Sequence, residues 1–167
     1  ELDCDKAGVE VGKREAVEVN EQYQTSQENI YAVGDVIGFP ALASTSMDQG
    51  RVAISHIFEI HDLDALPKVF PYGIYTIPEV SMVGITEEQA QESGMDYIVG
   101  LSHHPNVPRG RIMGAKTGIL KIIVSKDDMV IRGVHIMGRM ASEIIHYGLA
   151  IVQSEMTINA VVSTVFN

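Results

Sequence analysis

The sequence predicts an α+β fold. Antiparallel strands with separate helices occupy residues 71–167, preceded over residues 1–70 by a partial α/β segment. Three patterns predict it. Beyond residue 70 the periodicities run β-β-α-β-β-β-α-α. Within that run, Gly118–Ser125 and Met129–Met137 flank the turn Lys126-Asp127-Asp128, which reads as a hairpin. Before residue 70, the apolar run Ile30–Val33 ends in Gly34-Asp35 and leads to a helical pattern near Leu42, the strand-then-helix order of an open α/β sheet.

The elements follow in order. Val17 and Val19 alternate with Glu18 and Asn20, which predicts a short strand over Ala16–Asn20. Thr25–Asn29 reads as a turn and Ile30–Val33 as a buried strand. A helix runs from about Leu42 to Phe58, with Ala43, Ser46, Met47, Gly50, Ile54 and Ile57 on one face. The polar stretch His61–Pro67 is the candidate boundary between segments. Gly73–Thr76 and Glu79–Val83 are strand pieces interrupted by Pro78. Thr86-Glu87-Glu88-Gln89 has the form of a capping box, and its helix ends at Gly94. Tyr97–Leu101 is a strand, and Ser102–Gly110 a polar loop. Met140–Gln153 is a helix with Met140, Ile144, Tyr147, Gly148 and Ile151 as one stripe. Met137–Gly148 is so apolar that the helix is either fully buried or half covered by a partner chain. A short helix over Thr157–Val162 comes last.

Composition narrows the function. The 167 residues are 46% hydrophobic and 20% charged, which supports a packed core. The net charge of -10 argues against nucleic acid and anionic membrane surfaces as partners. No apolar run approaches the ~20 residues of a spanning helix, and the acidic start lacks the apolar core of a signal peptide. One cysteine, Cys4, excludes an internal disulfide and fits a reducing cytoplasm.

The candidate site is Gly34, Asp35, Leu42 and Ala43. A glycine just past a strand lets backbone come close to a ligand. A following aspartate offers a carboxylate able to accept two hydrogen bonds from a polyol. The helix beginning at Leu42 and Ala43 brings free N–H groups and partial positive charge to the same end of the sheet.

The full string Thr25-Ser26-Gln27-Glu28-Asn29-Ile30-Tyr31-Ala32-Val33-Gly34-Asp35 resembles the second FAD-binding motif of the flavoprotein disulfide reductase family, the pyridine nucleotide-disulfide oxidoreductases. The second half resembles that family's C-terminal dimerisation domain. Thr76-Ile77-Pro78-Glu79 through Gly84 is similar to its T-x-P-E entry, and Gly118-Ile119-Leu120-Lys121 to its G-x-hydrophobic-K strand. Ile131–Gly138 is similar to I-L-G-x-H-x-x-G, with Arg132 where an apolar residue is usual. Ala141-Ser142-Glu143-Ile144-Ile145 is similar to A-x-E-hydrophobic-I.

The resemblance implies a division into residues 1–70, part of an FAD/NAD(P)-binding region, and residues 71–167, a dimerisation domain. It implies that Asp35 holds the flavin's ribityl hydroxyls. Gly34 would let the flavin chain pass, and Leu42 and Ala43 would present N–H groups to the pyrimidine edge. It implies FAD, with NAD(P) in the parent enzyme, and a homodimer. An apolar patch of Ile144, Tyr147 and Ile151 would otherwise lie exposed. Both G-x-G-x-x-G motifs and the redox cysteine pair are absent, so the resemblance implies a C-terminal fragment with an incomplete FAD site and no activity of its own. Leu42-Ala43-Ser44, Asp48-Gln49-Gly50-Arg51 and Thr164-Val165-Phe166-Asn167 are most similar to the soluble pyridine nucleotide transhydrogenases of the family. The alternatives are a dihydrolipoamide dehydrogenase, in which Ser44 departs from the usual pattern, or a non-catalytic self-association module.

Other candidates read as structural. Ser44, Thr45 and Ser46 fit caps as readily as ligands. Glu143 and His146 have E-x-x-H spacing, but a di-metal site needs more carboxylate helices than one. His103 and His104 read as solvated loop residues, His135 as a satisfied core histidine and the eight methionines as packing. Arg109 and Arg111 flank Gly110 as an anion site or a solvated turn, and Glu87, Glu88 and Glu92 form a solvated face. No catalytic residue and no metal ligand is assigned.

Overall fold

The structure is a computed structural model and describes residues 2–60 and 65–165. The chain divides into two compact units, Glu1–Lys68 and Val69–Asn167. Part of the predicted boundary, residues 61–64, lies outside the described residues, as do Phe166 and Asn167 of the Thr164–Asn167 string.

The first unit contains helices α1 (Cys4–Ala7) and α2 (Ala43–Ile57), with 3-10 turns at Lys13–Glu15 and Gly34–Ile37. It corrects two strand expectations. Ala16–Asn20 and Ile30–Val33 lie outside any sheet; each contributes one isolated bridge, Val11 with Val17 and Gln24 with Tyr31. Alternation made these segments extended, but a strand also needs a neighbouring ladder. Here the backbone bonds go to close neighbours instead: Thr25 N–H to the Ile30 carbonyl at 2.9 Å, Ala32 N–H to Tyr23 at 3.0 Å, and Val17 N–H to Val36 at 2.9 Å. The expected turn is present, with Gln27 N–H bonding the Thr25 hydroxyl and Ile30 N–H the Gln27 carbonyl.

The predicted face of α2 is also corrected. Met47, Ile54 and Ile57 are exposed, while Thr45, Gln49, Val52, Ala53 and Ser55 are buried. The buried face is partly polar because Gln49 bonds the backbone it covers (Gly34), as described below.

The second unit is a five-stranded antiparallel sheet with helices. Its strands are β1 (Tyr72–Ile74), β2 (Val80–Gly84), β3 (Tyr97–His103), β4 (Ile119–Ser125) and β5 (Ile131–Met137), in spatial order β1-β2-β5-β4-β3. Helix α3 (Glu87–Glu92) lies between β2 and β3 in sequence. It begins with the expected capping box: Gln89 N–H bonds the Thr86 hydroxyl at 3.2 Å and Thr86 N–H the Gln89 side chain at 2.8 Å. Gly94, at φ 70, follows its end.

The predicted loop after β3 holds a 3-10 turn, His104–Asn106, and helix α4 (Pro108–Ile112). Proline at the first helical position suits a short helix, because its missing N–H has no partner there anyway. β4 and β5 form the expected hairpin, closed by Ser125 N–H to the Val130 carbonyl at 3.0 Å and Val130 N–H to the Asp128 carboxylate at 3.1 Å.

Helix α5 (Ala141–Gln153) packs on β1, β2 and β5, and α6 (Ile158–Val162) follows. The core between sheet and helix joins Val83, Val134 and Ile136 to Ala141, Ile145 and Ile151. Ser81, buried on β2, donates its hydroxyl to the Ala141 carbonyl at 2.7 Å and fixes the helix start. Gly148 allows the closest approach: a Cβ there would sit 3.2 Å from Val134 and 3.3 Å from Val83.

Arg132, the departure from the family pattern, pairs with Asp128 at 2.5 Å and Glu155 at 3.3 Å. It ties the hairpin turn to the segment after α5. Elsewhere on the sheet, Lys121 and His135 are register partners on β4 and β5. Lys121 pairs with Glu87, whose carboxyl is held below its usual range first by that hydrogen bond. His135 donates Nε2–H to the Ile85 carbonyl at 3.0 Å, as a satisfied core histidine should. Burial lowers its pKa, and the nearby Lys121 charge adds to the effect.

Two outcomes follow. Gly84 sits at φ 78 with a would-be Cβ 2.1 Å from the Arg132 carbonyl oxygen. Gly84→Ala therefore forces the backbone to shift, and urea denaturation should show a loss of roughly 2–3 kcal/mol. For His135, the unfolded chain takes up its proton at a higher pH than the folded one. Its contribution is thus complete above the ordinary value of 6.5 and is lost as pH falls below that toward the lowered folded value. The urea midpoint should fall less between about pH 7.5 and about pH 5.5 in His135→Gln than in the wild type.

Candidate functional site

In the first unit the backbone passes through Val33 in extended conformation and turns at Gly34. Gly34 is buried with φ 81, a region that costs a side-chain-bearing residue strain, and a Cβ there would lie 3.1 Å from the Ser46 hydroxyl. Its N–H bonds the Gln49 side-chain oxygen on α2 at 2.6 Å. Asp35 comes next, and its residue is exposed. Its backbone carbonyl accepts Gly38 N–H at 3.0 Å, closing the 3-10 turn. Asp35 borders an open cavity of about 380 Å³ whose wall also carries Lys13, Arg14, Gly38 and Phe39.

Helix α2 begins beside Leu42, which is extended and supplies no side-chain cap. Thr45 and Ser46 point their hydroxyls back to the Leu42 carbonyl, both at 2.9 Å, instead of capping the N–H groups. The first N–H groups of α2, that of Ala43 included, have no side-chain acceptor at the cap position. Ser44 is exposed. Gly34, Asp35, Leu42 and Ala43 thus fall in one small unit, with Gly34 bonded directly to α2. Leu42 and Ala43 do not line the cavity at Asp35.

The unit offers two kinds of polar group to a ligand. An exposed carboxylate accepts hydroxyl hydrogens, and an uncapped helix start donates to an electron-rich oxygen. Periodicity does not find Gln49, since it lies off the face of α2 that the spacing of Ala43, Ser46, Met47, Gly50, Ile54 and Ile57 singles out. Its only local signal is the Asp48-Gln49-Gly50-Arg51 string.

In the second unit α5 divides the expected stripe. Gly148 and Ile151 face the core, with Ile151 only 6% exposed, whereas Met140, Ile144 and Tyr147 are about half exposed at 51%, 47% and 46%. Ile151 therefore leaves the predicted apolar patch. Met140 and Ile144 border a groove of about 860 Å³, together with Ile77, Glu79, Arg109 and Arg139. Glu79 accepts Ser142 N–H at 3.0 Å, so its carboxylate sits at the N-terminus of α5. Arg109 lines this groove. Arg111 instead donates Nε–H to the Pro105 carbonyl at 3.3 Å.

His104 corrects its expectation. It is partly buried, and its ring lies where side chains on Gly118 and Gly138 would sit, 2.3 and 2.6 Å from those Cβ positions. Glu143 and His146 are exposed, and no group of three metal-ligating side chains occurs among the described residues. No described helix is long and apolar enough to cross a membrane.

Comparison with known proteins places the chain. The family model for the pyridine nucleotide-disulphide oxidoreductase dimerisation domain matches residues 70–167, and that for pyridine nucleotide-disulphide oxidoreductase matches residues 1–50. A soluble pyridine nucleotide transhydrogenase of Mycobacterium bovis is 45% identical over 166 residues, covering 99% of this chain and 35% of the relative. One from Erwinia tasmaniensis is 43% identical over 169 residues, covering 99% of this chain and 36% of the relative. The chain therefore spans about a third of the length of the curated relatives it matches. Among solved structures, the HOCl-induced flavoprotein disulfide reductase RclA from Escherichia coli superposes with a TM-score of 0.87 at 28% identity, covering 99% of this chain and 38% of that one. The α+β architecture, the order of its motifs and these matches agree: the chain belongs to the pyridine nucleotide-disulphide oxidoreductase family.

Proposed function

We propose that this chain is the C-terminal part of an FAD-dependent soluble pyridine nucleotide transhydrogenase, contributing part of the flavin site and the surface for a homodimer. The observation that carries the flavin reading is the exposed Asp35 carboxylate, presented by a buried Gly34 that is tied to the uncapped helix α2. The relatives' names support the choice of transhydrogenase. FAD, when bound, supplies a relay for hydride between two nicotinamides. Residues 1–70 would form part of the nucleotide-binding region. Asp35 would accept hydrogen bonds from the ribityl hydroxyls, while Leu42 and Ala43 would direct backbone N–H groups at the flavin's pyrimidine edge. Gly34 would allow the close approach. These residues bind and orient, and none moves a proton. Such an enzyme fits a reducing cytoplasm.

Residues 71–167 would form the homodimer contact. Met140, Ile144 and Tyr147 present an apolar face that a second copy would cover.

In the longer enzyme containing this sequence, purified with FAD, NADPH should reduce an NAD analogue while dihydrolipoamide gives no NAD reduction. Asp35→Ala should lower bound flavin at least about tenfold, the effect of about 1.4 kcal/mol, within reach of a lost charged hydrogen bond. Dihydrolipoamide activity would overturn the transhydrogenase reading. Sedimentation of this chain at high micromolar concentration should show a dimer, and Ile144→Glu should shift it to monomer. A monomeric wild type would reject the dimer contact.

A further inference from the structure

The geometry points to Gln49 as the positioning residue of the Gly34-Asp35 turn, holding Asp35 at a fixed place relative to the start of α2. This rests on the proposed flavin reading. Gln49 is 1% exposed, although glutamine is seldom fully buried. Its side-chain oxygen receives the Gly34 N–H at 2.6 Å across fifteen positions of sequence. Gly34 is itself buried, so without Gln49 its N–H would lose that partner away from water.

The contact lies directly before the proposed ligand. Gly34 opens the 3-10 turn, and Asp35 is its second residue. Ser46, one turn before Gln49 on the same face of α2, lies under Gly34 within 3.1 Å of its would-be Cβ. Two neighbouring positions on one helix thus fix the height of the turn. Gln49 is six residues beyond Ala43, and at about 1.5 Å per residue it holds the turn roughly 9 Å along the axis from the helix start. Within this chain Ile30–Val33 makes only an isolated bridge. A neutral amide suits the position: it accepts the N–H without burying a charge.

The first test uses this chain and Gln49→Glu, which keeps the size and an acceptor. Buried without a cation, the new carboxyl stays neutral, and its carbonyl oxygen can still accept the Gly34 N–H, so the Gly34 amide should remain protected from exchange in nuclear magnetic resonance spectra. Gln49→Met removes the acceptor, and Gly34 exchange should accelerate at least about tenfold while the Val52 and Ala53 amides stay protected. Unchanged Gly34 exchange in folded Gln49→Met, or rapid Gly34 exchange in folded Gln49→Glu, would overturn the hold.

The second test uses the FAD-loaded longer enzyme. Gln49→Met should release flavin at least about tenfold faster, with Gln49→Glu restoring retention. If Asp35→Ala releases flavin and folded Gln49→Met does not, the positioning role fails while the flavin reading stands. If Asp35→Ala also retains flavin, the flavin reading fails, and the magnetic resonance result alone decides the hold.

Discussion

The close contact of α5 with the sheet governs the second unit. Gly148 leaves room for Val134 and Val83, and Ala141, Ile145 and Ile151 fill the space around it. Once that face is committed, the rest of an unusually apolar helix must point away. Met140, Ile144 and Tyr147 follow from this geometry, and so does the groove beside them. Ser81 and Glu79 set the start of the helix by bonding the Ala141 carbonyl and the Ser142 N–H. A buried face and an exposed apolar face on one helix are what a self-associating module requires.

The first unit is held by different means. Its extended segments make isolated bridges and short turns within this chain. A side-chain amide bond from α2 and the absence of a Cβ shape the turn at Gly34. The carboxylate proposed to grip a polyol therefore follows a turn that α2 holds through Gln49.

The charged residues of the second unit are mostly accounted for locally. Arg132 replaces an apolar residue usual in the family, yet it is paired twice and joins the hairpin turn to the end of α5. Lys121 and Glu87 pair beside His135, whose pKa is lowered first by burial. These are structural arrangements, and they leave Arg109 and Arg139 in the groove without a carboxylate partner among the described ion pairs.

Local chemistry determined much of the fold by itself. The Thr86 capping box, the β4–β5 hairpin, Gly94 after α3 and the span of α5 follow from short-range periodicity and turn residues, because those interactions close within a few positions. The family motifs did the same for membership, since their order along the chain is a sequence property. Only tertiary structure decided which apolar residues are covered: Ile151 went inside while Ile144 stayed out, and Met47 and Ile54 were exposed on a face read as buried. It alone placed His104 against Gly118 and Gly138, and Gln49 on Gly34. Burial depends on what arrives from elsewhere in the chain, and a bond between residues fifteen or more apart leaves no periodic trace.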